Sequence, residues 1–556
     1  MTGRSSPKGA PVAIHRHVAR PVGAVTLGLG FAMLVCMAAG PLLALTESTP
    51  TNTNQSFVAM AASAVITLAV GGALWFHGRK AGTIPLGRRE AILVVAVIWL
   101  FCGLFGGLPY ILGAGMSPAN AFFEAVSGFT TTGATVCGPS ISQDAVGACP
   151  SVEGLSRPVL LWRSLTQWLG GMGIVVLFVA VFPTIGVGGK HMYRSEVPGP
   201  EAGGLRPRIA ETSIVLWRIY AVFTLAQVVM LKLFGMSWFD SVNHAFTTMS
   251  TGGFSTLDSS LGGFTAVSNP DIGMQTGLWA DWQGLGIEWT VVVFMLIAGV
   301  NFSLYFAMLR YRSVKVFWRS LEFRVYIGIV VISTLTIFAS LFAWNSTIWH
   351  EPLTWSGVAR DALQYFRDAL FMVATTITST GYGAGVTSYT KYPAMALSTM
   401  LLLMFIGGSA GSTAGGIKVS RVILLTKMSW GQIRKSFRPS VVHVVRMGRK
   451  AIDSAIIADV AAFFVIYMAC LAGGVLALSL IEDLSVAKAF GAMLTSLSNM
   501  GPAPFHNIGD ESFISVTDNF GGYGAASKYV LSLAMILGRL EFFTLLALLL
   551  PDFWKR

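Results

Sequence analysis

Long apolar stretches alternate with short polar and basic segments along the whole chain. A helix needs roughly 20 apolar residues to cross a bilayer. Stretches of that length run near 22–45, 57–77, 90–113, 158–184, 213–235, 285–309, 323–344, 393–417, 454–480 and 529–551, which predicts ten spans. Four shorter apolar segments begin near Ser117, Ser237, Asp361 and Ser485. At roughly ten to sixteen residues they fit re-entrant helices that dip into the membrane and return.

Each short segment runs into a stretch of small hydroxyl residues and glycine: FTTTGATV, FTTMSTGGFS, TITSTGYGAG and SLSNMGPAPF. Aligned on Gly133, Gly252, Gly381 and Gly501, the four stretches are spaced by 119, 129 and 120 residues, an internal repeat of domain length. Each unit reads span, half-membrane helix, polar glycine loop, span. The two positions before each glycine are Thr131 and Thr132, Ser250 and Thr251, Ser379 and Thr380, and Asn499 and Met500. Gly253, adjacent to Gly252, leaves the register of the second repeat open by one residue.

Non-helical backbone survives at membrane depth only against protein or a water-filled cavity. Glycine permits positive φ at little cost, so successive carbonyl oxygens can face one way, and a ring of them replaces the hydration shell of a monovalent cation. A single such loop fits tight helix packing equally well. Four copies in equivalent positions favour a shared pore.

Composition agrees with the pattern. Of 556 residues, 54% are hydrophobic and 12% charged, against about a quarter charged in soluble domains, so the chain is a membrane protein. With the N-terminus placed inside, cytoplasmic segments collect 28 of the 38 Lys and Arg residues, as the positive-inside rule requires. The net charge of +12 therefore records orientation, and nucleic-acid binding is not expected. Met1 to Arg20 is polar and basic and the first apolar run is of spanning length, so no cleaved signal peptide is expected. Cys137 and Cys149 share one external loop; a disulfide and two free thiols both fit.

IGGSAGSTAGGIKV, from Ile406 to Val419, interrupts one predicted span with five glycines. Its GGSAG matches the G-x-S-x-G nucleophile elbow through Ser409, but that elbow needs an α/β sheet around it. A phosphate-binding loop needs Lys directly after the glycine, and Ile417 separates Gly416 from Lys418. An unwound intramembrane segment that plugs a cavity and a plain packing break also fit. Arg539 lies inside the last span, where a charge is costly; pairing with Glu541, snorkelling to an interface and lining a pathway are the options. Arg163, near the external end of its span, reads as structural, and His244 as a satisfied side chain at a helix end.

FTTTGATV, STGYGAG and the IGGSAGSTAGG string resemble the Trk/Ktr superfamily of potassium transporters, TrkH branch, over residues 90–551. The resemblance implies an all-α polytopic membrane protein with four span-pore-span repeats in pseudo-fourfold arrangement around a central pore. It divides the chain into a cytoplasmic tail (1–21), two extra N-terminal transmembrane helices (22–78), pore repeats at 79–190, 205–312, 319–435 and 446–556, and a gating loop at 407–417. Backbone carbonyls of Thr131, Thr132, Gly133, Ser250, Thr251, Gly252, Ser379, Thr380, Gly381, Asn499, Met500 and Gly501 would line a potassium filter. Gly407, Gly408, Ser409, Gly411, Gly415, Gly416, Lys418 and Arg539 would form the gate.

The same resemblance implies K+ as the transported ion, no organic cofactor on this chain, a homodimer and a TrkA-type nucleotide-binding regulatory ring. It places the protein in the bacterial inner membrane with both termini cytoplasmic. The basic segment 418–450 would dock on an acidic partner surface or on anionic membrane lipid. Two rival readings remain: the ion-binding subunit of a potassium-pumping ATPase, and an intramembrane hydrolase acting through Ser409.

Overall fold

A computed structural model describes residues 14–43, 53–79, 87–138, 147–149, 151–180, 205–264, 278–345, 355–383, 392–440, 444–448, 450–502, 519–540 and 542–555. Apolar runs become helices because the bilayer offers no partner to backbone N–H and C=O, so each span must satisfy its own. Six described helices are long and apolar enough to cross unbroken: Arg16–Leu43, Gln55–Gly78, Arg89–Ala114, Ser213–Leu233, Leu321–Ala343 and Ser454–Glu482.

Helices α1 (Ile14–Leu43) and α2 (Thr53–Gly78) pack on each other, and α1 continues onto α3 (Arg88–Gly106) and α6 (Arg157–Ala180). Because α1 begins at Ile14, it takes in the end of the segment expected as a tail up to residue 21. Between α3 and α6 lie α4 (Leu108–Ala114) and the short α5 (Pro118–Phe129). The plan of span, short helix and span recurs as α7 (Leu205–Leu233), α8 (Trp238–Met249) and α9 (Leu278–Ala298), which α10 (Phe302–Tyr311) continues. After the linking α11 (Lys315–Arg319), it recurs as α12 (Leu321–Asn345), α13 (Trp355–Ile377) and α14 (Ala394–Phe405). Helix α15 (Val419–Phe437) and a two-residue hairpin, β1 (Arg446–Met447) with β2 (Lys450–Ala451), precede the last round. That round is α16 (Ser454–Glu482), α17 (Val486–Ser498) and α18 (Ala525–Arg539), trailed by α19 (Phe543–Leu546) and α20 (Pro551–Trp554).

Serine starts three of the short helices. Ser117, Ser237 and Ser485 accept from the backbone N–H of Asn120, Asp240 and Lys488 at 3.3, 3.0 and 3.4 Å, caps of about 1 kcal/mol each. The third departs from expectation: α13 is 23 residues long and starts at Trp355 rather than near Asp361. The apolar run marks only its inner part, and the polar turns carrying Arg360 and Asp361 stay helical.

The spans read at 285–309 and 529–551 are not continuous either. Helices α9 and α10 meet at 87° across Gly299, Val300 and Asn301, where the Asn301 side chain caps α10 by accepting from Ser303 N–H at 2.8 Å. Helix α18 stops at Arg539.

The short helices fix the architecture. Helix α5 packs on α18, α8 on α6, α13 on α9 and α17 on α14. Each therefore leans on the second span of the repeat before it, and the four units close into a ring.

Beside this ring the Glu124 carboxylate of α5 meets the Arg163 guanidinium of α6 at 2.6 Å, both buried. Glu124 also accepts from Thr135 Oγ1 and Val136 N–H at 2.9 Å. Arg163 donates to the Ser255 carbonyl at 2.9 Å and lies 3.6 Å over the Phe254 ring, so the pair ties the first repeat to the second. Cys137 and Cys149 are bridged, which closes the segment that follows the first glycine loop.

Removing one member of a buried pair costs about 3–5 kcal/mol, because the other charge is stranded. Glu124→Gln alone is expected to lower the unfolding midpoint in detergent by several degrees. Glu124→Gln combined with Arg163→Met should recover most of that loss, and a single variant as stable as the native protein would refute the role given to the pair.

Candidate ion pathway

The four short helices end in the same way. Thr131, Thr251, Ser379 and Asn499 hold φ of 52°, 55°, 55° and 51°, the left-handed region that costs a non-glycine residue about 1–2 kcal/mol. In the first unit, Thr131 N–H donates to the Gly128 carbonyl and Thr132 N–H to that of Ser127, both at 2.9 Å. The same pair of bonds recurs at Thr251 and Gly252, at Ser379 and Thr380, and at Asn499 and Met500. This is the helix-terminating Schellman turn. It ends each helix with its carbonyl end, the negative end of the dipole, facing the glycine loop.

Two residues beyond each left-handed turn the chain reaches Gly133, Gly253, Gly381 and Gly501, at φ of 81°, 76°, 83° and 98°. The second loop is thus displaced by one residue from the sequence alignment. Ser250 sits at the right-handed helix cap, φ −78°, as Thr130 does in the first loop. The equivalent trio is Thr251, Gly252 and Gly253.

These glycines interlock. A β-carbon on Gly133 would overlap the carbonyl oxygen of Gly252, one on Gly253 that of Thr380, and one on Gly381 that of Met500. On Gly501 it would come within 2.8 Å of the Thr132 carbonyl oxygen. Every loop presses on the next, and the fourth returns to the first. A cavity of about 50 Å³ touches all four glycines together with Arg163, Asp258 and Phe520.

On the opposite side lies the glycine string. Its neck is closed by Gly407 N–H donating to the Ile417 carbonyl at 2.9 Å and Ile417 N–H to that of Phe405 at 3.0 Å. Gly411 and Gly416 adopt positive φ, and the Gly408 carbonyl accepts from Val419 N–H at 3.2 Å. The tip fills the break in the second repeat: Ser409 N–H donates to the Gly299 carbonyl at 2.9 Å, and Phe302 N–H to that of Gly411 at 3.1 Å. Gly415 N–H donates to Ser379 Oγ at 2.6 Å, directly under the third glycine loop, and Lys418 Nζ folds back on the Ala414 carbonyl.

Arg539 is buried and donates to the Thr413 carbonyl at 2.8 Å. Its Nε and second amino nitrogen have no hydrogen-bond partner among the described residues. Glu541, the pairing partner considered from the sequence, lies outside the described residues. A cavity of about 20 Å³ touches Gly411, Gly415, Gly416, Lys418, Asn499 and Arg539.

Sequence reasoning missed the anchor of this loop. Glu322 of α12 is buried, and its Oε1 accepts from Ala410 N–H at 2.7 Å and Ser420 N–H at 3.2 Å. One oxygen thus holds both arms of the loop. A buried acid near the start of a span was the available signal. Elsewhere, His244 is satisfied by the Asp240 carbonyl and Ser255 Oγ, and Glu288 pairs with Arg367 at 3.5 Å.

Residues 56–552 match the profile of the TrkH family, described as cation transport protein. The chain belongs to the TrkH family. It is 36% identical to the Trk system potassium uptake protein TrkH of Salmonella typhimurium, over 88% of this chain and 91% of that one. It is 30% identical to the Trk system potassium uptake protein TrkI of Halomonas elongata, over 96% and 97%. The crystal structure of the potassium transporter TrkH from Vibrio parahaemolyticus superposes with a TM-score of 0.77 at 30% identity, covering 97% of this chain and 99% of that one. Membership of TrkH makes this a polytopic membrane transporter and not an enzyme. Ser409 accordingly lies in a loop between two helices rather than on a strand-to-helix elbow.

Hydrogen bonds to a charged acceptor contribute roughly 1.5–3 kcal/mol. Glu322→Ala is therefore expected to speed hydrogen exchange at the Ala410 and Ser420 amides by about tenfold or more, read by mass spectrometry. Unchanged exchange would refute Glu322 as the anchor.

Proposed function

We propose that this chain is the membrane subunit of a potassium uptake system, passing K+ through a filter of backbone carbonyls formed by the four glycine loops. The observation that carries this reading is the closed contact of Gly133, Gly253, Gly381 and Gly501 with the carbonyls of Gly252, Thr380, Met500 and Thr132. The filter positions are then Thr131–Gly133, Thr251–Gly253, Ser379–Gly381 and Asn499–Gly501. Strain held at four equivalent non-glycine turns supports the same reading, since such strain persists where function requires it. So do the relatives, which are potassium uptake proteins of the Trk system.

An inside-negative potential drives the ion with about 2.3 kcal/mol per charge per 100 mV. The loop of Gly407 to Gly416 obstructs the path below the filter, and the Arg539 charge raises the barrier to cations while the loop is seated. Opening moves the loop tip away from Gly299, Ser379 and Arg539. A TrkA-type nucleotide-binding ring, docked on the basic segment 418–450 of a homodimer in the bacterial inner membrane, with both termini cytoplasmic, supplies nucleotide control. The pumping-ATPase reading is weaker, because the glycine plug and the two N-terminal helices belong to the Trk plan.

Flux of potassium, rubidium, sodium and lithium into liposomes holding the purified protein, under an imposed inside-negative potential, tests the proposal. Potassium and rubidium are expected to pass, and Gly381→Val to abolish their flux, since any β-carbon there overlaps the Met500 carbonyl. Unchanged flux in Gly381→Val would overturn the filter assignment.

A further inference from the structure

The carbonyl ring is not fourfold in its side chains. At the position just before each ring glycine stand Thr132, Gly252, Thr380 and Met500, so the second loop alone has no side chain there. Thr132 Oγ1 contacts Thr130 Oγ1 at 2.7 Å and accepts from Asn499 Nδ2 at 2.9 Å, and Thr380 Oγ1 contacts Thr378 Oγ1 at 2.7 Å.

In the second loop the corresponding space holds a side chain from another helix. A β-carbon on Gly252 would lie 2.8 Å from Gln167 Nε2 and closer still to the rest of that carboxamide. Gln167, on α6, is fully buried. Its Nε2 donates to the Gly252 carbonyl at 2.8 Å, and its Oε1 accepts from Phe254 N–H at 3.1 Å. The carboxamide thus grips the backbone on both sides of Gly253. Among the described residues, no side chain donates to the carbonyls of Thr132, Thr380 or Met500.

We propose that Gln167 is a positioning residue for ion selection, its carboxamide standing in for the side chain missing at Gly252 and holding that single ring carbonyl. This rests on the filter reading. A carbonyl oxygen has two lone pairs, and the Gln167 donor occupies one of those on Gly252. That oxygen is therefore a weaker ligand and cannot follow a smaller ion inward. Field strength and freedom to contract are the quantities that separate sodium from potassium in carbonyl filters. Without the donor, the Gly252 oxygen becomes both stronger and more mobile, and sodium gains.

The test is the potassium-to-sodium flux ratio in liposomes of the full-length protein. Gln167→Met keeps the volume and removes the donor; a net hydrogen bond of ordinary strength predicts a fall in the ratio of about threefold to tenfold. A ratio at the native value overturns the inference.

Where Gln167→Met does not assemble, Gln167→Leu decides, because it too fills much of the carboxamide's space and lacks the donor. Potassium flux with a lowered ratio supports the inference, and potassium flux at the native ratio shows the carboxamide to be filler and overturns it. Gly381→Val separates the two levels. If its flux persists, the filter reading itself falls; if its flux is lost while the Gln167 variants keep the native ratio, only the role of Gln167 falls.

Discussion

Irregular backbone inside a membrane has no water to satisfy it, and that constraint organises the molecule. Each glycine loop is acceptable only because another loop closes on it. The Gly133 backbone lies against the Gly252 carbonyl, Gly253 against Thr380, Gly381 against Met500 and Gly501 against Thr132. None of the four contacts exists within one repeat, so the repeats are stable as a ring and not as separate units. The helices obey the same logic, each short helix resting on the second span of its neighbour.

The glycine string below the ring is held by the same kind of exchange. A broken span exposes backbone groups, and here two breaks satisfy each other: Gly299 and Phe302 of the second repeat bond to Ser409 and Gly411 of the third. Glu322 gathers the loop's arms, while Thr413 presents its carbonyl to Arg539. These bonds join residues far apart in the chain, so the loop is seated by tertiary contacts rather than by its own turn. The ring above is tied by pairs such as Glu124 with Arg163, buried and reinforced from several sides.

Symmetry in such a ring is approximate, and its departures are chemically specific. Asn499 replaces a hydroxyl residue at the left-handed turn and reaches across to Thr132 Oγ1 and the Met535 carbonyl. Gly252 surrenders its side chain to Gln167. A chain with four covalently joined repeats can adjust one position of the ring without altering the other three, which a homotetramer cannot.

The sequence by itself determined where the apolar runs lie, the spacing of the four glycine-bearing stretches and the glycine-rich interruption at 406–418, because those follow from hydropathy and from which residues a helix rejects. It left the register of the second loop open, since Gly252 and Gly253 are alike as letters and only their φ values and neighbours separate them. It left the breaks at Gly299 and after Arg539 unread, because GVN and GRL do not forbid a helix; the partner that takes up the freed backbone at Gly299 lies more than a hundred residues away. Glu322, Gln167 and the Glu124–Arg163 pair were equally invisible, since each acts on backbone or charge that only tertiary packing brings within hydrogen-bond reach. What tertiary structure decided was which polar groups satisfy one another, and in a membrane that is a matter of three-dimensional proximity rather than of composition or period.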